Sequence, residues 1–379
     1  MDRGLSLGHL KAVAALLCLA VLITNIVSVS RWSEVRGVYD DICYLRQAHL
    51  FQRFGIGGLD TDISKDDDHY LQGKLKEIGY PEWNSSNRAP CHSPMSDTKF
   101  VLQYPPGTGF LLAVFPEGHQ VAPLYAASSL IVCCFALLGI LYVCSPLWIL
   151  STAMFAVLAL YVVVNPGKAS YSIAPTMAVC AIVGYLTSFW LLKANRSQLL
   201  VILIGLLLGL SVNLRLSNAI LSAGYFLFFA ISCLRSRQLT TFAQGIGFGM
   251  GFLVGMTPTL IANAINAGSP FTTTYGGVDV APPEFKFGIF MQYAADLQFA
   301  LIVLVVASTI YRFRWKGQTR ARQVGLIVAG NLLVNLAFFL SHPVFTQYYM
   351  IPIAMLSLWS LSFAHLMQEV EVAKVIPAA

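Results

Sequence analysis

Leu10-Lys11-Ala12-Val13-Ala14-Ala15-Leu16-Leu17-Cys18-Leu19-Ala20-Val21-Leu22-Ile23-Thr24-Asn25-Ile26-Val27-Ser28-Val29 carries one charge, at its edge. A helix of that length rises about 30 Å, the thickness of a bilayer's hydrocarbon core. Arg3 and Lys11 stand at its start, but Arg31-Trp32-Ser33-Glu34 follows where a cleavage site needs small residues. The run therefore reads as an uncleaved first span rather than a signal peptide. Nine further apolar runs recur near 120–141, 146–164, 171–192, 198–214, 217–233, 241–262, 294–311, 324–340 and 346–366. Hydrophobic residues make up 56% of the 379 and charged residues 11%, against about 25% charged in a soluble protein. The sequence predicts an all-α polytopic transmembrane bundle of about ten spans, a single integral membrane domain over residues 1–379.

The loops set its orientation. With the N-terminus inside, the cytoplasmic loops hold Lys193, Arg196, Arg235, Arg237, Arg312, Arg314, Lys316, Arg320 and Arg322 and no acid. The short loops opposite hold Lys168, Arg215 and Lys286, with Asp279 and Glu284. Basic residues favour the cytoplasmic side, so both termini are expected inside. Phe110-Leu111-Leu112-Ala113-Val114-Phe115 is too short to cross; as a full span it would invert this asymmetry, so it reads as a juxtamembrane or re-entrant helix. Residues 30–106 then form one large extracytoplasmic loop, with 11 of the 18 acidic residues. The net charge of +6 lies in short loops between spans and does not suggest nucleic acid.

Within that loop, Ile42 to Phe54 reads as an amphipathic helix lying in the interface plane. Tyr44, Leu45, Ala48, Phe51 and Phe54 fall on one side, with Arg46 and Arg53 opposite. The acid-rich Asp60-Thr61-Asp62-Ile63-Ser64-Lys65-Asp66-Asp67-Asp68 starts like a calcium loop. Lys65 occupies the place of the turn glycine and Leu71 that of the bidentate glutamate, so it reads as a solvated loop. Of eight cysteines, Cys43 and Cys91 are the two in the outer loop, where an oxidising compartment would join them as a disulfide. No Cys/His spacing suggests zinc; no cofactor is implied and a divalent metal is not indicated.

Asp40-Asp41 at the foot of the first span is the densest chemical signal, because a carboxylate pair at a membrane face is costly to place without a use. Asp40-Asp41-x-x-Tyr44-x-x-x-Ala48 resembles the Asp-Glu-x-x-Tyr-x-x-x-Ala motif of GT-C fold glycosyltransferases, a superfamily that includes the protein O-mannosyltransferases and the lipid A aminoarabinose transferase. Tyr104-Pro105-Pro106-Gly107 resembles the Lys-Pro-Pro or Tyr-Pro-Pro-Gly element that ends their first outer loop. Asn263-x-x-Asn266-x-Gly268-Ser269-Pro270-Phe271-x-x-x-Tyr275 and Gln347-Tyr348-Tyr349-Met350-Ile351-Pro352 are similar to two later elements. Together they cover about residues 10–360. Asp41 stands for the usual glutamate, Tyr104 for a lysine and Gln347 for a basic residue.

The resemblance implies transfer of a sugar, with inversion, from a polyprenyl-phosphate donor to a hydroxyl of a lipid, glycan or protein acceptor. The expected setting is the periplasmic face of a bacterial inner membrane. Asp40 would be the general base and Asp41 its support, although either acid can instead cap the helix near Ile42. A departing lipid phosphate needs donors. Arg215 is the first candidate, followed by Tyr104, Lys168, His342, Gln347 and Tyr348, with Arg88, Lys99 and Tyr349 beside them. Arg215 also fits a snorkelling arginine, and the tyrosines an interfacial belt. The rival classes are a transporter or flippase of lipid-linked glycans, which would place polar groups mid-span, and a catalytically inactive scaffold.

Overall fold

The structure is a computed structural model describing residues 6–35, 39–85, 89–165, 170–193, 197–276, 282–314, 319–342 and 344–375. The chain runs α1 (Leu7–Val29), α2 (Tyr39–Phe54), α3 (Tyr70–Glu77), the strands β1 (His92–Pro94) and β2 (Phe100–Leu102), then α4 (Pro106–Ala113). After these come α5 (Val121–Tyr142), α6 (Pro146–Val164), α7 (Ile173–Leu192), α8 (Gln198–Leu214) and α9 (Ala223–Ser236). The last are α10 (Leu239–Ala267), α11 (Phe287–Ala294), α12 (Leu297–Arg314), α13 (Thr319–Ser341) and α14 (Ile351–Val375). Among the described residues nine helical segments are long and apolar enough to cross a membrane. The tenth expected span, α8, has 17 residues, the lower end of the crossing range. Phe110 to Ala113 falls in α4, whose 8 residues cannot cross.

The core is built around α7 and α14, the two most enclosed spans. Gly184 lets them close up, since a Cβ there would run into the Trp359 side chain. Helices α8 and α10 pack on the same device. Gly205 and Gly209 on α8 face the Phe248 and Phe252 carbonyls, while Gly251 and Gly255 on α10 face those of Ile202 and Leu206. Four-residue glycine spacing puts the small residues on one face, so backbones meet where lipid offers no competing hydrophobic drive. Pro258 interrupts α10. Asn213 grips the turn that contains it: its Oδ1 accepts from Thr259 N at 2.8 Å and its Nδ2 donates to Gly255 O at 2.7 Å. Those are the two partners of one helical i→i−4 pair.

The described residues between 30 and 106 fold as a cap over one end of the bundle. Ile42, Leu71 and Leu75 form its small core. The antiparallel hairpin β1–β2 pairs Ser93 with Val101, and Cys43 and Cys91 form a disulfide with Cα atoms 6.4 Å apart.

Two readings of this region are corrected. The polar side of α2 is only partly in solvent: Arg53 is exposed, but Arg46 is 0% exposed. Its guanidinium donates to the Thr61 and Asp62 carbonyls at 3.0 and 2.9 Å and pairs with Asp66 at 3.6 Å. Nor is the stretch 60–68 simply solvated. Asp66 also accepts from Leu71 N at 3.0 Å and so caps α3, while Asp67 lies 2.7 Å and Asp68 3.0 Å from Arg53. A buried guanidinium must be paired and hydrogen-bonded, and this acid-rich segment supplies both.

Candidate active site

Asp40 and Asp41 occupy the first turn of α2, where the positive helix end favours carboxylates. Consecutive helical residues point about 100° apart, so the two acids serve different places. Asp41 turns inward, 0% exposed, and its Oδ1 accepts from the Tyr171 backbone N–H at 3.2 Å. Asp40 faces a cavity of about 510 Å³ lined also by Tyr44, Tyr104, Tyr275, Arg215 and residues 345–349. Tyr104 Oη donates to Asp40 Oδ1 at 2.5 Å, and Tyr348 Oη donates to Oδ2 at 3.2 Å.

Four segments distant in sequence meet the start of α2 here, each held by its own anchor. Tyr104 precedes α4, which starts at Pro106, the helix position where a missing N–H costs least. Gly107 and Gly109 let α4 wedge between neighbours: a Cβ would lie 2.6 Å from Asn213 O at the first and 2.5 Å from Gln47 Oε1 at the second. Thr108 Oγ1 donates to Leu214 O at 3.0 Å. Arg215 follows directly, as α8 ends. Its guanidinium sits over the rings of both Tyr348 and Tyr349, 4.6 Å from each centroid, and its Nη1 is buried with no hydrogen-bond partner among the described residues.

Tyr275 arrives through the 263–276 segment. Asn266 accepts from Thr61 N at 2.9 Å and donates to Leu59 O at 2.7 Å. Gly268, at φ +79°, ends α10 in the left-handed conformation that favours glycine. Thr274 Oγ1 donates to Gln103 O at 2.9 Å, which brings Tyr275 beside Tyr104 with ring centroids 6.2 Å apart. The 345–349 turn is clamped by Gln298, 0% exposed: its Nε2 donates to Thr346 O at 3.1 Å and its Oε1 accepts from Met350 N at 2.6 Å.

The phenols are fixed as donors. Burial, then the Asp40 carboxylate, holds Tyr104 well above its ordinary pKa. Burial pushes Tyr44 up to about 12 against the lowering effect of Arg215, and raises Tyr348 as well. At neutral pH Tyr44, Tyr104 and Tyr348 are thus neutral O–H groups set between Asp40 and Arg215.

Of the residues singled out by sequence, the cavity gathers Asp40, Tyr104, Arg215, Gln347, Tyr348 and Tyr349. Lys99 is elsewhere, its Nζ donating to Ile265 O at 2.8 Å at the end of α10. His342 stacks on Phe338, centroids 5.8 Å apart, and does not line the cavity. Lys168 and Arg88 lie outside the described residues. Sequence reasoning missed Phe345, Thr346 and the clamp Gln298; the signal for Gln298 was a polar residue inside an apolar run. No group of three or more His, Cys, Asp or Glu able to hold a metal occurs among the described residues. No protein family, curated protein or solved structure matches the chain, so its function is read from the chemistry of this cavity.

Proposed function

We propose that this chain is a membrane glycosyltransferase of GT-C type that moves a sugar from a polyprenyl-phosphate donor to an acceptor hydroxyl, inverting the anomeric carbon. One observation carries the reading: Asp40 and Arg215 share one cavity, with Tyr348 touching both. The acceptor oxygen attacks the anomeric carbon as its proton passes to Asp40. The bond from that carbon to the phosphate oxygen breaks, and its electron pair stays on the phosphate. Arg215 neutralises the charge that collects there, the role in which a preorganised cation contributes most. Asp41, which faces away from the cavity, holds the Tyr171 backbone and supports the first turn of α2.

The tyrosines define the walls. Tyr44 and Tyr104 stack at 4.8 Å and offer flat apolar faces of the kind that pack on a sugar ring. The cavity volume of about 510 Å³ falls in the usual range for a small-molecule site, about 300–1,000 Å³. The setting proposed is a bacterial inner membrane with the cap on the periplasmic side.

The test is transfer of radiolabelled sugar from polyprenyl phosphate in membranes carrying Asp40→Asn. Asparagine keeps the size of the side chain and its place between Tyr104 and Tyr348 while removing the base. The expected loss is about 10²–10⁴-fold in rate, with donor binding retained. Arg215→Ala should weaken donor use instead. Near-normal transfer by Asp40→Asn would reject the assignment and favour a transporter or scaffold.

A further inference from the structure

A second cavity, about 700 Å³, opens at the other end of the bundle between α6, α12 and α14. Its lining divides by height. Arg312, His365, Ser308 and Ser362 stand towards the end from which the basic α12–α13 connection leaves, while Leu158, Phe155 and Leu304 line its inner part. Leu304 and Arg312 are eight residues apart on α12, about 12 Å along the axis. The cavity therefore runs from the membrane interface well into the apolar layer. Met154 and Leu304, exposed by 65% and 42%, stand at its edge, so it faces lipid rather than water.

Arg312, in the last turn of α12 at the interface end of the cavity, is 3% exposed, and a charge buried away from water is costly unless an opposite charge meets it. His365 lies near enough to interact electrostatically with it and packs against the Trp148 ring, centroids 4.1 Å apart. Glu369 pairs with His365 at 3.7 Å and does not line the cavity. A cation with hydroxyls at one end and an apolar channel at the other matches an amphiphile with an anionic head. Basic pockets between spans are a recurrent form of lipid recognition.

We propose that this cavity binds one anionic phospholipid of the leaflet at the basic end. Arg312 and the Ser308 and Ser362 hydroxyls receive the phosphate, and an acyl chain lies along Leu158 and Leu304. The site is separate from the Asp40 cavity and does not depend on the reaction assigned to it.

Native mass spectrometry of the full-length protein, delipidated in detergent, tests this with phosphatidylglycerol, phosphatidylcholine and inorganic phosphate as probes. Both lipids carry the phosphate, but the trimethylammonium of phosphatidylcholine neutralises its head and would be repelled by Arg312, so the first phosphatidylglycerol is expected to bind about tenfold more tightly. Inorganic phosphate should not displace it, because the apolar channel contributes to affinity. Arg312→Gln should bring phosphatidylglycerol down to the phosphatidylcholine level. Because Arg312 is buried, Ala307→Trp tests the site independently: position 307 is exposed and lines the cavity, and the indole should reduce binding of both lipids at least tenfold. Equal binding of the two lipids, displacement by inorganic phosphate at matched concentration, or unchanged binding by Ala307→Trp would each overturn the proposal.

Discussion

Gly107→Ala should damage both stability and activity through one added methyl group. The new Cβ would lie 2.6 Å from Asn213 O and 2.8 Å from Asn213 Cβ. Carbon atoms pack best near 3.5 Å or beyond, so α4 and the end of α8 must separate by roughly 0.7 Å. Neither partner yields cheaply, because Asn213 is held on both sides of its amide by α10. Overpacking of this kind costs about 1–3 kcal/mol. The Thr108–Leu214 hydrogen bond, stretched by the same movement, adds about 1 kcal/mol. The expected destabilisation is therefore about 2–4 kcal/mol. Tyr104 and Arg215 flank this contact in sequence, so the cavity also shifts, and misplacement on the order of 1 Å costs roughly 10²-fold in rate. Thermal unfolding in detergent, compared at one scan rate, measures the first effect, and sugar transfer the second. Gly73→Ala is the control: a Cβ there meets nothing within 4 Å, so the helix α3 should gain up to about 1 kcal/mol. A Gly107→Ala protein that melts with the wild type would refute the wedge.

The other expectations concern the cap and its sidedness. Cys91→Ser opens a link spanning 48 residues, about 4 kcal/mol on the chain-entropy account, and should speed protease nicking between residues 60 and 102; unchanged resistance would remove that role. His92 accepts from Arg46 at 3.1 Å, and burial with that guanidinium pushes it down to about 3 from 6.5. The unfolded chain then binds the extra proton, so stability is full above about pH 6.5 and falls as pH drops towards 3, by up to about 1.4 kcal/mol per unit. His92→Gln should flatten that slope in protease-resistance profiles, and an unaltered slope would place the titration elsewhere. For topology, an impermeant maleimide applied to intact cells should label Ser64→Cys and spare Lys193→Cys and Arg235→Cys; the reverse pattern would invert the chain.

The spans were legible because crossing a bilayer imposes a length and an apolarity that one sequence window can measure. The contacts between spans were not. Gly205, Gly209, Gly251 and Gly255 matter through the carbonyl each faces, and that pairing of α8 with α10 is a fact of three dimensions. The reading of α2 failed at Arg46 for the same reason. Periodicity identified Arg46 as polar and assigned it to water, whereas its partners at residues 61, 62, 66 and 92 arrive from later in the chain. The acid-rich stretch lost its calcium resemblance at Lys65 and Leu71, yet its role as countercharge to Arg46 and Arg53 appeared only once α2 was in place. Asp40, Tyr104 and Tyr348 were found as separate motif residues; that they form one hydrogen-bonded cluster was not legible.

That cluster gives physical content to the tyrosine at position 104. An ammonium in its place would stand beside the Asp40 carboxylate as a full positive charge and favour its ionised form, which would weaken it in the proposed role of proton acceptor. A phenol at 2.5 Å orients the carboxylate while remaining neutral. The cost is one fewer cation in the cavity, and among its described lining residues the remaining one is Arg215. In the proposed reaction the charge of a departing phosphate would therefore fall on a single guanidinium, which lies 4.6 Å from the centroids of two tyrosine rings set at 81° to each other. Two rings at that angle limit how the guanidinium can turn, and bidentate capture of phosphate depends on the orientation of its plane. Gln298 fixes the turn that carries both rings, so in the proposed reaction it would act through them on the one guanidinium that meets the phosphate.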